Sequence, residues 1–135
     1  MSTQGTEPSL QRIAQIALNA PDLPRAVCFY RDILGLKLLF EVPGMAFFEC
    51  GGVRLLLGPA SRPEFDHPAS ILYYAVADIR AMHATLVSRG VAFDAAPHLV
   101  AKLPAGGGLP ARELWLAFFR DSEANVAALT SEVPA

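Results

Sequence analysis

The sequence predicts an α+β fold in which two paired βαβββ modules form a curved mixed sheet with a central cleft. Three observations lead there. One strand-like run is followed by a capped amphipathic helix and three β-rich runs, and the same order recurs after about 55 residues. The helix-opening Asp22 and Asp78 lie 56 apart, and the helix-closing Gly35 and Gly90 lie 55 apart, so cap, length and stop repeat together. Finally, the 135 residues, 53% hydrophobic and 18% charged, make one domain with a real core. They leave too little chain for a solenoid, which needs about three or more units.

Residues 13–20 alternate as a strand does. Asp22 then opens a segment whose apolar Leu23, Ala26, Val27, Tyr30, Ile33 and Leu34 follow helical spacing until Gly35, a residue suited to the left-handed closing position. Residues 36–42, 45–50 and 53–57 are three short β runs split by Pro43-Gly44 and Gly51-Gly52. Residues 58–70 hold three prolines without periodicity and form a linker. Strand 71–76 leads into Asp78 and a helix carrying Ile79, Met82, His83, Leu86 and Val87. After Gly90 come three more β-rich segments. The organisation is therefore a polar tail over 1–11 and one domain over 12–132, with modules at 12–57 and 71–132 around the 58–70 linker.

Composition excludes several functions. The 13 acidic and 11 basic residues are dispersed, giving a net charge of −2 and no basic patch for nucleic acid or an acidic membrane. No apolar run approaches the roughly 20 residues that cross a bilayer. The start of the sequence lacks the basic and apolar regions of a secretion signal, so the expected compartment is the cytoplasm. Cys28 and Cys50 are too few and wrongly spaced for a disulfide framework or a zinc set. Neither has a sequence signal for an activated thiolate.

The segments DLPRAVCFYRDILGL (22–36) and FRDSEAN (119–125), set in the paired modules, resemble the vicinal oxygen chelate superfamily of glyoxalases, bleomycin resistance proteins and extradiol dioxygenases. The second segment stands where that family has a DPDGN-type turn, with Ala124 in place of the glycine. The resemblance implies a small-molecule cleft, a homodimer and, in many members, a divalent metal held from the first, fourth, fifth and eighth strands. Mapped here, those positions are Gln15, Leu55, Ile71 and Ala128. A divalent ion needs several N or O donors converging at about 2.0–2.2 Å, and one neutral amide is not enough. No metal or other cofactor is therefore expected.

With Gln15 facing the cleft, period-two alternation adds Ala17 and Asn19, then Tyr73 and Ala75 beside Ile71, then Val126 and Thr130 beside Ala128. The expected ligand-binding set is Gln15, Asn19, Tyr73, Trp115 and Thr130, in a mostly apolar pocket without a fixed charge. His98 is the candidate acid or base; the alternative is a histidine hydrogen-bonded at a strand edge. Trp115 reads either as pocket wall or as core. His67 reads as a surface loop residue, His83 as half-buried packing, Glu113 as a surface partner for Lys102, and residues 105–109 as a flexible hairpin tip. The function expected is binding of a small, largely apolar molecule without a metal. The alternatives are a metal-dependent lyase, isomerase or dioxygenase, and a metal-independent enzyme using His98.

Overall fold

A computed structural model describes residues 8–68 and 70–135; most of the tail expected over 1–11 lies outside the described residues. The first module comprises β1 (Gln15–Asn19), α1 (Leu23–Cys28), β2 (Lys37–Val42), β3 (Met45–Cys50) and β4 (Val53–Gly58). The second comprises β5 (Leu72–Ala75), α2 (Ile79–Ser88), β6 (His98–Leu103), β7 (Arg112–Arg120) and β8 (Val126–Pro134). The sheets have orders β1-β4-β3-β2 and β5-β8-β7-β6, so each module repeats one topology. β1 runs parallel to β4 and β5 parallel to β8, while the hairpins are antiparallel. The fold is α+β in two βαβββ modules.

Both helices start where a carboxylate can satisfy a free N–H of the first turn. Asp22 accepts from the Arg25 N–H at 3.1 Å, and Asp78 from the Ala81 N–H at 3.0 Å. The single helix expected up to Gly35 is two pieces, because α1 widens into a π-helical stretch at Phe29–Ile33. That stretch buries both Phe29 and Tyr30. Gly35 and Gly90 close the helices at φ of 80° and 91°.

The modules share one core, which includes Leu18, Tyr30, Phe48, Leu55 and Leu57 from the first and Leu86, Phe119 and Leu129 from the second. The curved mixed sheet expected from the paired modules is two four-stranded sheets, which among the described residues have no common ladder. They meet instead through their helix-bearing faces. The turn after β7 fastens the joint. Tyr30 donates to Asp121 at 2.6 Å, Arg25 donates to Glu123 at 2.8 Å, and the Asn125 amide donates to the Asn19 carbonyl at 3.1 Å. Arg89 adds a bond to the Ile33 carbonyl at 2.8 Å.

Candidate functional site

Each sheet has one face against its helix and one open face, and strand alternation assigns side chains to them. In β1, Ile16 and Leu18 point to the core, leaving Gln15, Ala17 and Asn19 on the open face. Register places Gln15 beside Arg54 and Ala17 beside Leu56. Arg54 donates to Gln15 Oε1 at 3.0 Å and lies 5.5 Å from the centre of the Phe47 ring. Phe47 in turn stacks on Phe40 at 4.5 Å. This side of the first module is thus an aromatic floor with a guanidinium at its edge. The expectation of a face without fixed charge is corrected by Arg54, whose significance depends on a register that spacing alone does not give.

Two further expected positions shift. Leu55, the assumed fourth-strand position, is 2% exposed in the core, so the residue on the open face is Leu56. Trp115 is on the helix-bearing side, where Arg80 of α2 lies 5.1 Å from its ring centre and its Nε1 donates to Glu113 at 3.3 Å. It packs against the core and does not wall the open face. A lone Trp between leucines gives no parity signal, and the pairing of Trp115 with Ser131 and Leu99 decides its side.

On the second sheet, Tyr73, Ala128 and Phe118 lie in one row across the strands, with the Tyr73 and Phe118 rings edge to face at 6.0 Å. The next row joins Ala75, Thr130, Leu116 and His98. His98 is therefore on the open face with Tyr73 and Thr130, its Nδ1 3.2 Å from the Ala96 carbonyl. Asn19 has its side chain committed elsewhere. Its amide donates to Asp66 and its oxygen accepts from the Ala60 N–H, both at 3.1 Å, which ties the linker to β1. Gln15, Ala17, Ile71 and Tyr73 are exposed, so within one chain neither open face covers the other.

The remaining candidates have local roles. His67 is exposed, with Nδ1 2.9 Å from the Pro68 carbonyl. His83 packs edge-on against Phe93 at 4.5 Å. Lys102 stands opposite Glu113, but the ion pair formed nearby is Arg112 with Glu132. Gly106 and Leu109 close the tip of the β6–β7 hairpin with reciprocal backbone bonds. Cys28 is exposed and Cys50 half-buried, and burial, with Glu49 nearby, pushes the Cys50 thiol above its ordinary value.

The donor set does not fit a divalent metal. Among the described residues no group of three or more His, Cys, Asp or Glu converges. The family's positions on the open faces are Gln15, Leu56, Ile71 and Ala128, and the only donor among them already accepts from Arg54.

Two βαβββ modules, each with a helix on one face of its sheet and the other face open, define a protein of the glyoxalase-fold class. The chain belongs to the Glyoxalase/Bleomycin resistance protein/Dioxygenase superfamily, whose sequence model matches residues 12–104. Its fold is similar to that of a superfamily member from Sphaerobacter thermophilus DSM 20745, at TM-score 0.71 and 22% identity over 91% of this chain and 98% of that one. It is also similar to a glyoxalase/bleomycin resistance protein/dioxygenase from Nocardioides, at TM-score 0.68 and 22% identity over 96% and 89%. A lactoylglutathione lyase from Agrobacterium tumefaciens aligns at TM-score 0.63 and 20% identity over 92% and 96%. At these identities the likeness concerns the fold. No curated protein matches the chain. Among the described residues no helix is long and apolar enough to cross a membrane.

Proposed function

We propose that the open faces of two copies close on each other to form the cleft, and that this cleft binds a small aromatic or otherwise apolar molecule with one anionic end, without a metal. The single observation that carries the reading is the Arg54–Gln15 pair above Phe47. It puts a fixed positive charge next to the first-strand position from which metal-dependent relatives hold their ion. Salt-bridge partners for Arg54 are absent among the described residues, so its guanidinium can receive a carboxylate in the two-pronged manner typical of arginine. Phe40, Phe47, Tyr73 and Phe118 supply the apolar surface. His98, on the face with Tyr73, is the group through which a bound molecule would be turned over.

A thermal-shift titration tests this with 2-naphthoate, 2-acetylnaphthalene and zinc chloride as separate additives. Naphthoate is expected to raise the midpoint, since saturation at about 100 times Kd adds about 2.7 kcal/mol to the folded state. Arg54→Gln is expected to abolish the shift. Tight binding of one zinc ion per chain, released by Gln15→Ala, would overturn the proposal, as would a naphthoate response that Arg54→Gln leaves intact.

A further inference from the structure

We propose that the molecule taken by the Arg54 face is an aromatic α-amino acid, whose carboxylate meets Arg54 and whose ammonium group meets Glu49. This rests on Arg54 receiving a carboxylate and adds the second charged group, which names the substrate class. Strand pairing lines up Gln15, Arg54, Glu49 and Lys37 side by side across β1, β4, β3 and β2. Glu49 shares the open face with Arg54, because Ala46 and Phe48, of the opposite parity in β3, are buried in the core. The next row along the strands is Ala17, Leu56, Phe47 and Phe40. A charged row thus lies beside an aromatic one, two residues or roughly 7 Å away.

Opposite charges that face each other across two strands attract and ordinarily close on each other. Arg54 and Glu49 do not, and among the described residues neither belongs to any ion pair. Each is turned aside by another partner. The Arg54 guanidinium donates to Gln15 Oε1 at 3.0 Å, on the strand away from Glu49, and Glu49 Oε2 accepts from the Gly52 N–H at 2.6 Å in the β3–β4 turn. Two full charges of opposite sign therefore stand on adjacent strands, roughly 5 Å apart, and keep bonding capacity for a ligand. An α-amino acid carries its carboxylate and ammonium on one carbon, so adjacent strands can meet both at once. Its side chain leaves the same carbon and lays an aromatic ring over Phe47 and Phe40. An amine without a carboxylate is poorly matched, because Glu49 stands between two cations, Arg54 and Lys37. A carboxylate without an ammonium sets a second anion beside Glu49 and gives it no partner.

Isothermal calorimetry of the full chain at neutral pH tests this with three probes that share a ring and a chain length: 3-(2-naphthyl)-L-alanine, 3-(2-naphthyl)propanoate and 2-(2-naphthyl)ethylamine. Naphthylalanine is expected to bind about tenfold more tightly than naphthylpropanoate, and the amine more weakly than either. Glu49→Gln keeps an oxygen for the Gly52 N–H, so the turn is expected to form and only the charge is lost. In that variant the two carboxylates are expected to bind equally. Arg54→Gln is expected to weaken both at least about tenfold. If naphthylpropanoate binds through Arg54 while naphthylalanine binds no more tightly, or if the preference for naphthylalanine survives Glu49→Gln, the amino-acid proposal is overturned and the anionic-ligand reading stands. If neither carboxylate saturates wild-type protein, or if Arg54→Gln leaves both affinities intact, the anionic-ligand reading falls and takes this proposal with it.

Discussion

Glu123 has a side chain only 1% exposed, yet it is held ionised by its partners. Burial works against the charge, but hydrogen bonds from Arg25, the Asp22 N–H and Ser122 outweigh it and keep the carboxyl below its ordinary value. A carboxyl depressed in the folded state contributes stability that is present above its unfolded pKa, about 4.3, and is lost as pH falls through the folded value. Glu123→Gln is therefore expected to cost about 1–2 kcal/mol at neutral pH, allowing for the exposure of Arg25. The difference from wild type should shrink as urea unfolding is repeated toward pH 3. A penalty independent of pH would show that the charge contributes nothing. Of this turn, FRDSEAN was recognisable in the sequence as a motif. The partnership of Glu123 with Arg25 was not, because 98 residues separate them and nothing near either one records the other.

Elements were legible where the signal is local. Asp22 and Asp78 announce helix starts because a cap interacts within its own first turn, and Gly35 and Gly90 announce ends for the same reason. Facing was less legible. Alternation sorted β1 and β5 correctly, but in β4 a one-residue choice sends Leu55 to the core and Leu56 to the open face, and only the pairing with β1 makes that choice. Gly58, at the end of β4, shows how tightly such pairings pack. A Cβ built there would lie 2.5 Å from the Gly44 carbonyl oxygen of the β2–β3 turn, a backbone atom that cannot swing away. Gly58→Ala is expected to lower stability by about 1–3 kcal/mol by forcing the two strand ends apart, measurable as a reduced urea midpoint. An unchanged midpoint would mean that the turn yields freely. Ala124, at φ 68°, carries backbone strain of the kind that the family's glycine at this place avoids.

At the scale of the molecule, the repeat revealed that there are two modules, whereas their mutual arrangement depends on contacts between distant segments. With the helix faces turned to each other, β1 and β5 are free sheet edges, and Tyr73 is 51% and Phe40 45% exposed. Monomers rarely leave edges and aromatic surface in this state. Light scattering at micromolar concentration is expected to give twice the mass of the chain, and Tyr73→Lys is expected to raise the dimer dissociation constant at least about tenfold. A wild-type monomer under these conditions would contradict the arrangement. The order of strands also bears on how the chain can assemble as it is made. β4 and β8 are each the last strand of their module, yet each sits inside its sheet and is, among the described residues, the sole ladder partner of the module's first strand. During translation, at roughly 5–20 residues per second, β5 therefore waits unpaired until β8 has left the ribosome. The clamp at 121–125 becomes available only just before it, so the first module, finished long since, must keep the part of its apolar seam that meets β7 and β8 uncovered until those strands emerge.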